Sequence, residues 1–411
     1  MRKLRWWEKY VQKITSPLNS IGGRLVHDWV LGSLVAGTAI LSGVARALHS
    51  DKRGFEAALE RLSRGFRKQT RAIALAVKLY RSRAVRAMKK AGGRVVAIDL
   101  SEVVKPYGRR LQYLCTVRDA SKSSPKRAVI EKGWWTVEVS APLADHRVLP
   151  LVRHAYSTVH PEFKSEQDEI RFALEQVAPL LPPDVRAVLD RGFDGNTFFS
   201  LLDDFFAHWA VRQRGDRDVG LPGQETLHRM STVAKIVRQD HVARPWVVRH
   251  GELQRIEVPF GYCTVELPGG KAFRRRAGKR QMTLIVANHR GERDDDLPMM
   301  LLVSKPVKSA ADARQWVEDY YRRWGAEEET RADKQLGGLE DLRVQSWDSI
   351  YNLVALSIVT GGLLALLDLE NPRRARRLAR LAPIDGDVPA FARYRLWLSL
   401  SLLLQGRSLG R

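Results

Sequence analysis

The feature that most constrains this chain is a change of apolar period at Gly92-Gly93. From Phe55 to Lys90 (FEAALERLSRGFRKQTRAIALAVKLYRSRAVRAMKK) apolar residues recur at three and four with Arg and Lys between them, the period of amphipathic helices. Beyond the glycines the run RVVAID opens a strand, and RRLQYLCTVRD and GWWTVEVSA follow across short polar turns, so an antiparallel meander is expected. A helical stretch near Glu166 to Val177, the strand DVRAVLD, the helix NTFFSLLDDFF and the strand AHWAVRQR come next. That order belongs to a mixed α/β sheet. From about Arg244 to Val307 the segments PWVVRH, QRIEVPF, CTVELP, RQMTLIVAN and MMLLVSK read as a β-rich insertion. Helical period returns from Asp312 to about Lys334 and from Trp347 to Leu367, and the tail (NPRRARRLARLAP, then YRLWLSLSLLLQ) closes an all-helical end.

The expected divisions are therefore a basic helical domain over 1–90, a first core part over 91–215, the β-rich insertion over 216–307, a last core part over 308–345 and a helical C-terminal region over 346–411. Charge is unevenly spread among them. Residues 1–90 carry 20 Lys and Arg against 5 Asp and Glu, which is +15 of the chain's +23. With 44% apolar residues over 411 positions this is no disordered basic tail, and the excess charge suits an acidic polymer or surface. For the helical segment alone two readings stand: a domain that grips a phosphate backbone, or a solvated basic face.

Cys115 and Cys263 provide neither a disulfide framework nor zinc-ligand spacing, so a reducing cytoplasm is the expected location. The opening MRKLRWWEKYVQK has no apolar run before a small-residue cleavage site, which argues against a secretory signal. Trp29 to Ala45 and Ser349 to Leu367 approach the roughly 20 apolar residues of a membrane span. Both are diluted by Gly, Ser, Thr or Asn and are read as buried core helices, so no membrane partner is expected. A membrane-associated basic protein is the rival reading they support.

Two acids follow buried strands. Asp99 comes after Val95-Val96-Ala97-Ile98 and is expected to end its strand; Asp190 comes after Ala187-Val188-Leu189 and precedes Arg191-Gly192-Phe193-Asp194. Acids at the ends of adjacent strands converge at one rim of a sheet. Two such carboxylates repel unless a cation lies between them, and all-oxygen ligation favours Mg²⁺. Taken singly, an Asp after an apolar strand is more often a turn or helix cap than a ligand.

A third acid comes from ARQWVEDYYRRWGAEEETRADK, read as one continuous helix. With Tyr320 at zero and about 100° per residue, Arg323 falls near about −60°, Glu327 near about −20° and Lys334 near about −40°. One stripe would thus present an acid able to complete a metal site, flanked by a phenol and two cations suited to phosphates. The plain alternative is a solvated face with i,i+4 ion pairs such as Arg323 with Glu327.

Tyr320-x-x-Arg323-x-x-x-Glu327-x6-Lys334 resembles the Tyr-Arg-Glu-Lys signature of the DDE transposases of bacterial insertion sequences, in the insertion-sequence-four group. VVAIDLSEVVKPYG resembles the group's first-acid region, AVLDRGFDG its second, and WAVRQRGDR the following strand with its arginines, Arg212 among them. The acids are spaced by 91 and 137 residues, and the resemblance covers about residues 90 to 360. It implies a ribonuclease-H-like mixed sheet core, interrupted by the β-rich insertion and flanked by the helical ends. Asp99, Asp190 and Glu327 would hold two Mg²⁺ ions, with Mn²⁺ as a substitute. These would activate water and then a DNA 3′-hydroxyl for attack on a phosphodiester, so that one site nicks, cuts and joins. Tyr320, Arg323 and Lys334 would grip phosphates. The implied partners are double-stranded DNA, as transposon-end inverted repeats and as target, and a second protomer on paired ends. The implied setting is a bacterial cytoplasm, at the nucleoid when bound.

Some relatives that cut through a hairpin place a Trp before the last strand of the insertion, where this chain has Asp296-Leu297-Pro298-Met299-Met300. The resemblance therefore leaves the hairpin step open, and Trp246 and Trp316 are read as core. Arg274, Arg275, Arg276, Lys279 and Arg280 form a basic turn on the insertion, and Arg373, Arg374, Arg376, Arg377 and Arg380 another in the tail. Beside a nucleic-acid-handling core both are read as DNA contacts. A DNA-binding or regulatory derivative of a transposase, without catalysis, is the alternative function. No ligand spacing of His, no Ser-His-Asp order and no phosphate-cradling or dinucleotide glycine loop stands out.

Overall fold

The computed structural model describes residues 5–124, 127–249, 252–268, 280–288, 298–335, 337–384, 388 and 393–408. Arg274, Arg275, Arg276 and Lys279, together with Asp296 and Leu297, lie outside the described residues. Five helices come first: α1 (Arg5–Thr15), α2 (Ser20–Ala36), α3 (Leu41–Leu48), α4 (Lys52–Lys68) and α5 (Thr70–Lys90). Asn19 and Asp51 cap α2 and α4 by accepting the backbone N–H groups of Gly22 and Gly54, each at 2.7 Å. Strands β1 (Val95–Val104), β2 (Cys115–Arg118), β3 (Ile130–Pro142) and β4 (Val148–Tyr156) follow. Then come α6 (Glu166–Glu175), β5 (Arg186–Leu189), α7 (Asn196–Phe205) and β6 (His208–Arg212).

The next stretch holds β7 (Asp218–Gly220), β8 (Leu227–Arg229), α8 (Met230–Ile236), β9 (His241–Ala243), β10 (Trp246–Arg249), β11 (Glu252–Arg255), β12 (Val258–Leu267), β13 (Arg280–Ala287) and β14 (Met299–Val303). Helices α9 (Ala310–Arg322), α10 (Trp324–Gln335), α11 (Trp347–Glu370), α12 (Pro372–Ala379) and α13 (Arg393–Ser408) complete the order.

Among the described residues one twelve-stranded sheet runs β2-β3-β1-β5-β6-β14-β13-β12-β7-β8, with β4 beside β3 and β9 beside β12. β1, β5 and β6 are parallel, while β3 is antiparallel to β1. The first strands are thus not a meander in chain order. The thirteen residues of β3 reach both β1 and β2, and at Gly133 an added Cβ would come within 2.4 Å of the Val103 carbonyl oxygen. The β-rich stretch is not a separate sheet either. β14 pairs with β6 and covers what would otherwise be an exposed sheet edge. Among the described residues β10 and β11 stand apart as a two-stranded ribbon, on which Trp246 is exposed under the Arg255 guanidinium rather than in the core.

Alternation along β1 and β5 divides the sheet's faces. Val96, Ile98, Ala187 and Leu189 join the large core shared with α5, α11 and the amino-terminal helices. Val95, Ala97 and Val188 join a smaller core closed by Trp316, Val317 and Tyr320 of α9, and Met299 is buried there as well. By the same alternation Asp99 and Asp190 belong to the α9 side.

The two uncharged stretches behave differently. The first divides into α2 and α3, bent by 94°. The second is α11, a helix long and apolar enough to cross a membrane, most of whose apolar window is buried against α5 and β4. At Gly362 an added Cβ would lie 2.0 Å from the Tyr80 ring, and the Tyr80 hydroxyl donates to the Pro150 carbonyl at 2.6 Å. Glycine here is what lets α11 and α5 close over β4.

The helix expected from Asp312 to Lys334 is two helices, interrupted at Arg323. There the ladder tightens, with the Arg323 N–H meeting the Tyr320 carbonyl and the Ala326 N–H the Arg323 carbonyl. The break changes the substrate beneath the helix, since α9 packs on β9, β10 and β5 whereas α10 packs on β3 and β4. Both halves are held by buried charge. Asp319 of α9 meets Arg186 at 2.8 Å and Arg322 at 2.9 Å. Asp333 of α10 meets Arg153 of β4 at 2.9 Å, Glu329 meets Arg393 of α13, and Lys334 meets Glu102 of β1 at 3.1 Å.

Arg153 also donates to Glu138 at 2.8 Å and to Ser357 at 3.0 Å, so one guanidinium serves two strands and two helices. Arg153→Met strands two buried carboxylates and is expected to cost about 3–5 kcal/mol in denaturant unfolding. Gly362→Ala, which overpacks the Tyr80 contact, is expected to cost about 1–3 kcal/mol by the same measurement.

Candidate carboxylate site

The parallel ladder between β1 and β5 ends at the pair Ile98 and Leu189. The next residue on each strand is an acid, so Asp99 and Asp190 stand side by side on strands about 4.8 Å apart. Asp99 is not the last residue of its strand, as β1 continues to Val104 along β3, which pairs Asp99 with Glu138. What ends at Asp99 is the parallel partner. Asp190 turns out of β5 into a short 3-10 turn, Arg191–Phe193, and its Oδ1 accepts the Gly192 N–H at 2.8 Å. The Leu100 N–H donates to Asp99 Oδ1 at 3.0 Å. Asp194, four residues beyond Asp190, is committed elsewhere, to Arg217 at 2.7 Å.

Arg323 and Glu327 arrive from the break between α9 and the start of α10. Arg323 Nη2 lies 2.6 Å from Glu327 Oε1, and Nη1 lies 3.9 Å from Asp99 Oδ2. Its guanidinium sits 5.4 Å from the Tyr320 ring centroid. Burial pushes the Asp99 carboxyl up to about 7; Arg323 opposes that rise, and the negative charges of Asp190 and Glu327 add to it. Asp99 thus feels the charges of two acids carried by two other segments. Arg323 is held firmly protonated by Tyr320, Glu327, Asp99 and Asp190, which together outweigh its burial. The Arg323 Nε and the Tyr320 hydroxyl are buried without a hydrogen-bond partner. The site is nonetheless reachable, with 28% of the Asp99 side chain and 35% of the Glu327 side chain exposed.

Among the described residues no group of three or more His, Cys, Asp or Glu is placed to hold a metal ion. Glu327 and Asp99 share the guanidinium instead. The chemistry of the donor set still suits a divalent cation. Three carboxylates against one guanidinium leave an excess of two negative charges when all are ionised, and every donor is a hard oxygen.

Tyr320, Arg323, Glu327, Asp99 and Asp190 are therefore brought together. Lys334 is paired with Glu102 two turns further along α10. Arg212, at the end of β6, and Arg249 flank Tyr321, whose hydroxyl burial pushes up to about 12 against their positive charge. Arg280 opens β13 with its guanidinium on Asp203 and over the Trp209 ring, built into the sheet rather than free on a turn. On α12 Arg373, Arg376, Arg377 and Arg380 are exposed opposite buried Ala375 and Ala379. Trp316 is core, and the residues missed from sequence are the buried anchors Asp319, Asp333, Arg153, Glu329 and Arg393, with the half-buried Arg186. Their only sequence signal is charge inside otherwise apolar or helical runs, which does not name a partner.

No family model matches the sequence, and neither does any curated protein. Among solved structures the chain is similar to a piggyBac transposase synaptic complex with hairpin DNA, at TM-score 0.44 and 10% identity, over 94% of this chain and 73% of that one. A likeness this loose carries no argument about what the chain does.

Proposed function

We propose that this chain is a metal-dependent DNA transposase that cuts transposon ends and joins their 3′-hydroxyls to target DNA, with a ribonuclease-H-like core. The observation that carries the reading is the convergence of Asp99, Asp190 and Glu327 around Arg323, from segments 91 and 137 residues apart. A solvated helix face would not bring Glu327 to two strand acids. The resemblance of the surrounding segments to insertion-sequence transposases supports the same assignment.

Asp99, Asp190 and Glu327 would hold the divalent ions, Mg²⁺ or Mn²⁺. Bound there, such ions would lower the pKa of an attacking water or 3′-hydroxyl and offset charge on the phosphodiester. The protein's own part is positioning. The β1–β5 register fixes Asp99 beside Asp190, and the anchors of α10 keep Glu327 facing them. Arg323 and Tyr320 present the donors that a phosphate oxygen would accept, which the buried, unpartnered Tyr320 hydroxyl supports. Arg212 and the exposed arginines of α12 would supply further cations to a phosphate backbone. Paired DNA ends held by two protomers in a bacterial cytoplasm belong to the same proposal.

Cleavage and joining of labelled DNA carrying the inverted repeats that flank the coding sequence test it directly. Metal-dependent 3′-hydroxyl ends are expected from the wild type and none from Glu327→Gln or Asp190→Ala, both folded by circular dichroism. Tight binding without cleavage by any of the three would assign the chain to a DNA-binding derivative. For the α12 surface, Arg376→Gln with Arg377→Gln is expected to lower the slope of log affinity against log salt by about 2, near one unit per lost phosphate contact.

A further inference from the structure

Arg323 occupies an unusual place for a residue whose proposed partner is DNA. One terminal nitrogen lies 2.6 Å from Glu327 Oε1 and the other faces Asp99 Oδ2 at 3.9 Å, its remaining nitrogen is buried without an acceptor, and only 11% of its side chain is exposed. A guanidinium 2.6 Å from Glu327 Oε1 takes the lone pair that a cation would need, and its charge repels any second cation at the same carboxylates. The same side chain lies at the joint between α9 and α10, against the Tyr320 ring.

We infer that Arg323 is the resident counter-ion of the carboxylates in the DNA-free protein, and that transfer of its guanidinium to a DNA phosphate opens Asp99 and Glu327 to a divalent cation. Nucleic-acid binding and metal loading are then coupled, and cutting is withheld until DNA is in place. The coupling is reciprocal, as linkage requires, so metal also strengthens the phosphate contact of Arg323. This inference rests on the reading of Asp99, Asp190 and Glu327 as metal ligands. It also separates Arg323 from a plain structural ion pair, whose removal would loosen the site and weaken metal binding rather than strengthen it.

Mn²⁺ binding to the DNA-free protein, followed by the electron paramagnetic resonance signal of free Mn²⁺, tests the inference without any turnover. Arg323→Gln is expected to bind Mn²⁺ at least tenfold more tightly than the wild type, and adding Asp190→Ala to that variant is expected to erase the gain. A short duplex should tighten Asp190-dependent Mn²⁺ binding in the wild type and leave Arg323→Gln unchanged. Arg323→Met, which keeps the aliphatic stem against Tyr320, replaces the Gln variant if that one melts below the working temperature.

If the Arg323 variants bind Mn²⁺ no more tightly than a wild type whose binding depends on Asp190, the counter-ion role is overturned and the metal site stands. If no Asp190-dependent binding is found in any variant, with or without duplex, the metal-site reading fails and takes this inference with it.

Discussion

Two carboxylates on neighbouring parallel strands are held on one face of a largely buried sheet, and much of the remaining structure answers to that constraint. Asp99 and Asp190 follow the last paired residues of the β1–β5 ladder, at a strand separation where like charges oppose each other strongly in a low-dielectric setting. Burial raises the Asp99 carboxyl toward neutrality, and Asp190 and Glu327 raise it further. A cation is required nearby, and in this structure it is the Arg323 guanidinium.

Bringing that cation to the sheet requires a helix that departs from ideal geometry. A straight helix from Ala310 to Gln335 could not lie on both β9–β10 and β3–β4, so the chain breaks at Arg323 and each half packs on its own strands. Each half is then fixed by buried ion pairs, Asp319 with Arg186 and Arg322, and Asp333 with Arg153. Such pairs gain little over an apolar contact of the same shape, but they are intolerant of misplacement, because a buried charge without its partner is costly. Rigidity at Glu327 follows from that intolerance. The link of Glu329 to Arg393 extends it to α13, so an ion pair ties the carboxy-terminal region to the helix that bears the third acid.

The sheet itself is larger than the segments that carry the acids. β14, β13 and β12 extend it from β6, so that β6 is an interior strand, and Met299 and Trp316 lie in the core on the α9 side. α11 seals the opposite face. Its apolar length is that of a membrane span, yet its glycines at 361 and 362 receive Asp333 and Tyr80 at distances no other side chain would permit.

Much of this was legible from local pattern. The change of period at Gly92-Gly93, the strands ending in DVRAVLD and AHWAVRQR, and the acids at 99, 190 and 327 are properties of short windows, set by which residues alternate between water and a core. Spacing alone could not reveal that β1 pairs with β3 rather than β2, that β14 joins β6, or that the helix carrying Glu327 breaks at Arg323. Nor could it say that of the two cations on the Glu327 stripe Arg323 stands among the acids while Lys334 is spent on Glu102, or that Arg280 is spent on Asp203. Most strands and helices, and the three carboxylates, could be located along the chain from sequence alone, because apolar periodicity is local. Which of them meet was settled in the fold, because strand register and buried charge pairing depend on residues far apart in the chain competing for the same dry interior.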